Sequence, residues 1–180
     1  MPVETITERT QYLSFYLDKE QYALEITQVR EVLDYTRITK VPRTPDYMLG
    51  VINLRGSVVP VIDMCINFGL PKIEQTRDTC IIIVEVVING EKTLIGALAN
   101  SVKEVFEMDP DMIEPAPKVG TRLNTEFIKG MGKHKESFVI ILDINKVFTL
   151  TEINLLKDSI EDKPEEKNKK ARKNTVEQVA

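Results

Sequence analysis

The two halves of this chain repeat one pattern of apolar residues, prolines, glycines and acidic strand ends. Residues 29–33 read VREVL and residues 102–106 read VKEVF, and a proline follows each segment at the same separation. Two glycines then precede apolar runs that end in aspartate at equal spacing, and the pairs are Gly50 with Asp63 and Gly130 with Asp143. Short strand patterns repeated at this density predict two small β-barrels side by side.

The most distinctive stretch is residues 50–63, which read GVINLRGSVVPVID. Two β-branched runs flank a polar corner that contains Gly56, and this pattern predicts a strand, a tight turn and a second strand. Pro60 cannot donate a ladder hydrogen bond, so one side of the second strand is predicted to be an edge or a bulge. Arg55 then lies at the hairpin tip, where it is either a solvated turn residue or a partner-binding cation.

Elsewhere the chain alternates between strand patterns and connectors. Strands are predicted near residues 11–17, 22–26, 80–88, 93–99 and 138–143. Ile26, Val29 and Leu33 lie three and four residues apart, which predicts a short helix or helical turn on which Glu31 faces away from Val29 and Leu33. Residues 1–10 are expected to be a flexible N-terminus, and the two repeats, possibly interleaved, to meet near residues 72–80. Residues 151–180 are expected to form a C-terminal helix and a charged tail.

Composition limits the function classes. The 180 residues carry a net charge of −4, which argues against a general nucleic-acid binder, because such proteins usually present a basic excess. No apolar run approaches the length of a transmembrane helix, and residues 1–10 lack the apolar core of a signal peptide. Two isolated cysteines, Cys65 and Cys80, fit reduced buried thiols. We therefore expect a cytoplasmic protein.

No catalytic or metal-binding motif is visible. The single histidine, His134, lies in a charged turn. The sequence shows no partner near it for a phosphotransfer or metal role, so we expect an exposed loop histidine. We expect no metal site and no cofactor. Asp63 and Asp143 could be an acid–base pair, but each recurs at a strand end of its own repeat, so we expect them to accept hydrogen bonds from the following turn. Gly50 and Gly130 are expected to adopt a backbone conformation that a Cβ would strain.

The hairpin run GVINLRG with VPVID resembles the CheW family, the coupling proteins of bacterial chemotaxis. Glu31 within VREV, the Thr-x-x-Pro connector at 39–42 and the FIKG run at 127–130 fit the same family, and the resemblance spans about residues 11–150. One departure is visible at Ala99-Asn100, where the family usually has Val-Asp.

The resemblance implies a mainly β fold of two SH3-like five-stranded β-barrel subdomains on a shared apolar core, with short helices. It implies a noncatalytic adaptor that joins the cytoplasmic tip of a methyl-accepting chemoreceptor to the regulatory domain of the histidine kinase CheA. Contact with the membrane would be indirect, through receptors, and no nucleic acid is expected. The family's partner-facing positions correspond to Ile26, Val29, Glu31, Arg55, Gly56 and Ile81. Val29 and Ile81 could instead be core residues.

Other readings of the sequence stay open at this point. An enzyme would need convergent titratable groups between the barrels, and none can be named. An oligonucleotide-binding barrel would need aromatic residues flanked by Lys and Arg on one sheet face, a setting that the aromatic residues of 12–22 lack. A different double-barrel interaction module, or a piece of CheA or of a receiver fusion, would share the fold, but nothing after residue 150 looks like a receiver or kinase domain.

Overall fold

The computed structural model describes residues 9–116 and 127–149, and these residues are mainly β, as predicted. The strands are β1 (Thr10–Leu17), β2 (Glu20–Glu25), β3 (Val29–Asp34), β4 (Met48–Leu54), β5 (Ser57–Asp63), β6 (Cys80–Ile88), β7 (Glu91–Ala99), β8 (Ser101–Met108), β9 (Ile113–Glu114), β10 (Ile128–His134) and β11 (Ser137–Leu142). The helices are α1 (Met64–Asn67), α2 (Ile144–Thr149) and the 3₁₀ turns Ile26–Gln28 and Pro110–Met112. The predicted C-terminal helix and tail, and residues 1–8 of the predicted flexible N-terminus, lie outside the described residues.

The strands form two sheets with the same construction. One sheet has the order β3-β6-β7-β5-β4, and the other has the order β8-β1-β2-β11-β10-β9. In each sheet one hairpin strand pairs in parallel with a strand from another hairpin, β5 with β7 and β11 with β2. The extra strand β9 corresponds to an isolated bridge between Thr39 and Val51 in the first sheet. The repeat in the sequence is therefore a repeat in the fold.

The sequence halves do not coincide with the sheets. The five-stranded sheet is one continuous segment of chain, from β3 to β7, whereas the six-stranded sheet combines β1 and β2 with β8 to β11. The boundary expected near residues 72–80 consequently lies between β5 and β6, two strands of the same sheet. The chain crosses between the sheets after β2 and after β7.

The segment after β2 differs from the prediction. Residues Ile26–Gln28 form one 3₁₀ turn, and Val29–Asp34 is a strand rather than a continuation of a helix. Its burial alternates, with Val29, Glu31 and Leu33 partly buried and Arg30, Val32 and Asp34 exposed. The predicted helical turn is present at Ile26–Gln28, but it ends before Val29 and Leu33, and Glu31 is partly buried along with them rather than facing away. Residues four positions apart lie on the same face of a strand as well as of a helix, so the spacing alone does not distinguish the two. Hydrogen bonding to β6 makes this segment a strand.

Gly50 and Gly130 allow the connector that precedes each hairpin to pass against it. A Cβ on Gly50, whose φ is +145°, would lie 2.1 Å from the carbonyl oxygen of Thr39. A Cβ on Gly130 would lie 2.8 Å from the carbonyl oxygen of Glu114, yet Gly130 has no positive φ. The expected backbone constraint is thus present at Gly50, whereas Gly130 is required by close packing alone.

Two aspartates end the buried strands β5 and β11. Asp63 Oδ1 accepts hydrogen bonds from the backbone N–H groups of Cys65 and Ile66, and Oδ2 accepts one from Ile73. Asp143 Oδ1 accepts a hydrogen bond from the N–H of Lys146. Both carboxylates therefore cap the short helix that follows, which is the expected structural arrangement.

The main apolar core is shared by both sheets. The middle of β6, Ile81 to Val84, is fully buried, as its continuous apolar sequence predicts. From the other sheet, the Tyr22 ring stacks on Phe15 at a centroid distance of 6.2 Å and on Phe68 at 6.0 Å. A smaller core lies inside the six-stranded sheet and comprises Tyr12, Ala23, Phe106, Met108, Val139 and Ile141.

We predict that Gly50→Ala destabilises the protein by about 3 kcal/mol, because the added Cβ combines a positive-φ cost of about 1–2 kcal/mol with overpacking against backbone of about 1–3 kcal/mol. Urea denaturation would measure the loss. Gly69→Ala is the matched control, since Gly69 also has a positive φ, +75°, but no heavy atom lies within 4 Å of its Cβ position. Equal losses in the two variants would contradict the role of close approach at Gly50.

Candidate functional site

The β4–β5 hairpin presents Arg55 at its tip. Arg55 and Gly56 are the two turn residues, with φ values of +50° and +86° that suit a two-residue hairpin loop. The Oδ1 atom of Asn53 accepts a hydrogen bond of 2.8 Å from the N–H of Gly56 and fixes the turn. The Arg55 side chain is 81% exposed, so the hairpin presents its guanidinium to the solvent.

Glu31 on β3 meets this tip. Its Oε2 atom lies 3.3 Å from Nη2 of Arg55 and accepts a hydrogen bond from it. The predicted site residues Arg55, Gly56 and Glu31 thus come together at one end of the five-stranded sheet, although 24 positions separate Arg55 from Glu31.

More charged side chains surround this pair. Glu85 on β6 forms ion pairs with Arg30 on β3 and, at 3.7 Å, with Lys92 on β7. A shallow cavity of about 380 Å³ lies among the groups, and its lining includes the side chains of Leu54, Ile83 and Leu94. We call the residues Arg30, Glu31, Arg55, Glu85 and Lys92 the Arg55 end. Sequence reasoning missed Arg30, Glu85 and Lys92, because only the strand register brings them together.

Apolar side chains flank the Arg55 end. Val58, beside the tip on β5, is 73% exposed, and Val32 on β3 is 42% exposed. Ile26 and Val29 are partly buried and pack against the main core while keeping some surface. Ile81 has no exposed surface at all, so the hypothesis that it contributes exposed apolar area is wrong. Its strand is covered on both faces, and Ile81 is a core residue.

A second cluster lies at the end of the six-stranded sheet. Glu104 on β8 accepts a hydrogen bond of 3.0 Å from Nε2 of His134, and Nζ of Lys135 lies 3.3 Å from its other carboxylate oxygen. The His134 ring stacks on Phe106 at a centroid distance of 4.0 Å. The His134 side chain is only 19% exposed, so the expectation of an exposed loop histidine is wrong. The residues that it contacts lie far away in sequence. These hydrogen bonds lower the pKa of Glu104.

The described residues offer no evident reaction centre. No group of three or more His, Cys, Asp and Glu side chains in residues 9–116 and 127–149 could hold a metal ion. Burial raises the pKa of Cys65 to about 12, with a contribution from the Asp63 carboxylate, and raises the pKa of Cys80 to about 11. In the same ranges, no helix is both long and apolar enough to cross a membrane.

Comparison with known proteins identifies relatives over most of the chain. The family model described as a CheW-like domain matches residues 11–152. The chemotaxis protein CheW of Klebsiella aerogenes is 32% identical over 146 residues, which cover 81% of this chain and 86% of that protein. CheW of Bacillus subtilis is 33% identical over 134 residues, which cover 74% and 83%. The crystal structure of the scaffolding protein TtCheW from Thermoanaerobacter tengcongensis superposes with a TM-score of 0.70 at 38% identity, covering 79% of this chain and 90% of that one.

We predict that both cysteines resist thiol reagents in the folded protein. Burial excludes the reagent, and the raised pKa leaves almost no thiolate at pH 8, which is the reactive form. Labelling with a chromogenic disulfide at pH 8 should be slow until denaturant is added and should then reach two thiols per chain. Rapid labelling of the native protein would contradict the burial of Cys65 and Cys80.

Proposed function

The chain belongs to the CheW family of noncatalytic chemotaxis scaffolds, and we propose that it joins the cytoplasmic tip of a methyl-accepting chemoreceptor to the regulatory domain of the histidine kinase CheA. Membership of this family confirms the predictions of a chemotaxis adaptor and of a protein without enzymatic activity. In this proposal the protein works in the cytoplasm and reaches the membrane only through the receptors.

The observation that carries the proposal is the exposed guanidinium of Arg55 at the tip of the β4–β5 hairpin. An exposed ion pair such as Arg55–Glu31 is worth about 0–1 kcal/mol to stability, so the fold has little need of it. The single contact to Glu31 orients the arginine and leaves most of its N–H donors for a partner's carboxylate or backbone carbonyls. Gly56 beside it has no side chain, which allows a partner's backbone to approach the tip.

The apolar flank supplies the second component of an interface. Specific protein interfaces combine a desolvated apolar centre with charged groups at the rim that set orientation. Val58 and Val32 supply exposed apolar area next to the charged groups, and the remaining surface of Ile26 and Val29 extends this area in the proposal. Ile81 lies beneath this surface and supports it only through packing.

Co-sedimentation tests the proposed coupling. Receptor signalling fragments on vesicles would be mixed with CheA, with and without this protein, and the pelleted kinase and its autophosphorylation would be measured. Recruitment of kinase only in the presence of this protein is the expected result. If the folded protein bound neither partner, the adaptor proposal would fail while the fold and family membership remained.

We predict that Arg55→Ala weakens assembly about tenfold or more while it changes the melting temperature by no more than about 2 °C, because the arginine serves the interface rather than the fold. Arg77→Ala, which removes another exposed arginine, is the matched control and should leave assembly unchanged. Arg55→Lys should recover only part of the binding, since lysine keeps the charge and loses the planar fork. A fall in melting temperature that parallels the loss of assembly would make Arg55 a structural residue.

A further inference from the structure

A β-bulge in β3 turns the side chain of Arg30 toward the Arg55 end. In the β3–β6 ladder the residues before and after Arg30 pair with Val84 and Ile83, which are neighbours on β6, so Arg30 is an extra residue. A bulge of this kind sets two residues of one strand opposite one residue of the other and re-aims a side chain. Arg30 and Glu31 consequently both line the cavity of the Arg55 end, although neighbours in a regular strand point to opposite faces.

The carboxylate of Glu85 contacts two cations at once. Its Oε2 atom forms an ion pair with Nη2 of Arg30, and its Oε1 atom lies 3.7 Å from Nζ of Lys92. The Glu85 side chain is only 14% exposed, whereas those of Arg30 and Lys92 are 56% and 78% exposed. The carboxylate is therefore largely covered, and the two cations are the part of this cluster that a partner can reach.

Cations dominate the accessible charge of this cavity. Of the described residues, the charged ones that line it are the three cations and two carboxylates of the Arg55 end, and both carboxylates are already engaged in ion pairs. Glu91 is also exposed and precedes Lys92, but it pairs with Ile88 in the β6–β7 ladder, so the alternation of side chains places it on the other face of the sheet. A carboxylate from outside would therefore meet a favourable potential in the cavity.

The six-stranded sheet carries the same bulge without the carboxylate. In the β8–β1 ladder Lys103 is the extra residue, at the position equivalent to Arg30. The register places Tyr16 of β1 where the five-stranded sheet has Glu85, and the ammonium of Lys103 lies 5.8 Å from the centroid of the Tyr16 ring. The fold therefore forms this bulge with or without a carboxylate beside the cation.

The fold itself gains little from a carboxylate at Glu85. Glu85 shares the lining of the cavity with the apolar side chains of Ile83 and Leu94, and covering a carboxylate is unfavourable unless it is paired. Ion pairs to half-exposed and exposed cations return little stability. Holding Arg30 in place before a partner arrives gives the carboxylate a use outside the fold, because a side chain that is already ordered loses less entropy on binding.

We propose that Arg30 is a second partner-binding cation of the Arg55 end and that Glu85 is the positioning residue that holds it. The occupant is the acidic segment that Arg55 binds, with one carboxylate on Arg55 and another on Arg30. The inference rests on the proposed function, and it requires Arg30 and Arg55 to serve the same partner.

Binding kinetics of the full chain test the role of Arg30. Association and dissociation with receptor signalling fragments and with CheA would be measured separately at about 0.15 M salt, for wild type, Arg55→Ala and Arg30→Ala. Arg30→Ala should bind at least about fivefold more weakly, mainly through faster dissociation, and only to a partner that Arg55→Ala also weakens. Arg37→Ala removes an exposed arginine from the connector after β3 and should leave both affinities unchanged.

Glu85→Gln separates positioning from charge alone. The variant makes the surface more positive, so electrostatic attraction by itself would tighten the binding of an acidic segment. Positioning predicts the opposite sign, a loss of about threefold or more, because Arg30 must then be ordered during binding. Glu85→Asp keeps the carboxylate and should bind more tightly than Glu85→Gln, and Glu74→Gln, at an exposed loop position, should bind as wild type does. Equal or tighter binding by Glu85→Gln would overturn its positioning role.

The double variant Arg30→Ala with Glu85→Gln completes the cycle. If Glu85 acts through Arg30, the double variant should bind within about twofold of Arg30→Ala, whereas additive losses would overturn the positioning role. Melting temperatures should lie within about 2 °C of wild type, since the exposed ion pairs contribute little to stability. Wild-type affinity of Arg30→Ala for both partners would reject the inference and leave the proposed function standing. Wild-type protein that bound neither partner would reject the proposed function, and the inference with it.

Discussion

The shared apolar core holds the two sheet ends in one fixed relation. Tyr22 of the six-stranded sheet stacks on Phe68 beside the other sheet, and the buried middle of β6 packs within the same core. Separating the sheets would expose this core, at about 25 cal/mol for each Å² of apolar surface. The charged groups at the ends contribute little to stability by comparison. The positions of these charged groups depend on the core, whereas the stability of the core depends little on which charged residues they are.

That independence explains how the two ends could diverge. Equivalent positions hold Leu54 and His134, and Glu85 and Tyr16, within the same ladder geometry. The side chains of the two sheets also differ at the opposite ends of the strands. There, Lys129 Nζ lies 3.1 Å from Glu25 Oε2 in the six-stranded sheet. The register places Leu49 and Leu98 at the equivalent positions of the five-stranded sheet, and both line an apolar-floored cavity of about 510 Å³. The duplicated backbone therefore carries different side chains at equivalent surface positions.

The sequence was most informative where a few adjacent residues determine the local structure. The glycine and polar corner around Arg55 predicted the hairpin, and the aspartate at the end of each apolar run predicted the caps made by Asp63 and Asp143. The pairing of strands was harder to predict, because an apolar pattern indicates that a strand is buried without indicating which strand lies beside it. For the same reason the sequence did not show that β1 and β2 pair with strands of the six-stranded sheet. Ile81 was named as a partner-facing position through the family resemblance, whereas the continuous apolar run of β6 indicated burial on both faces.

The candidate site shows the same division between local and long-range information. Arg55 and Gly56 were found because one turn contains both, and Glu31 was found through the family resemblance. Glu85 and His134 were missed because each acts through a residue 30 or more positions away, Arg30 and Glu104. The internal repeat contained the signal for the second end, since Glu104 and Lys135 stand where Glu31 and Arg55 stand in the other copy. A repeat therefore predicts that a charged pair found in one copy has a counterpart in the other, and the two copies can then be compared residue by residue.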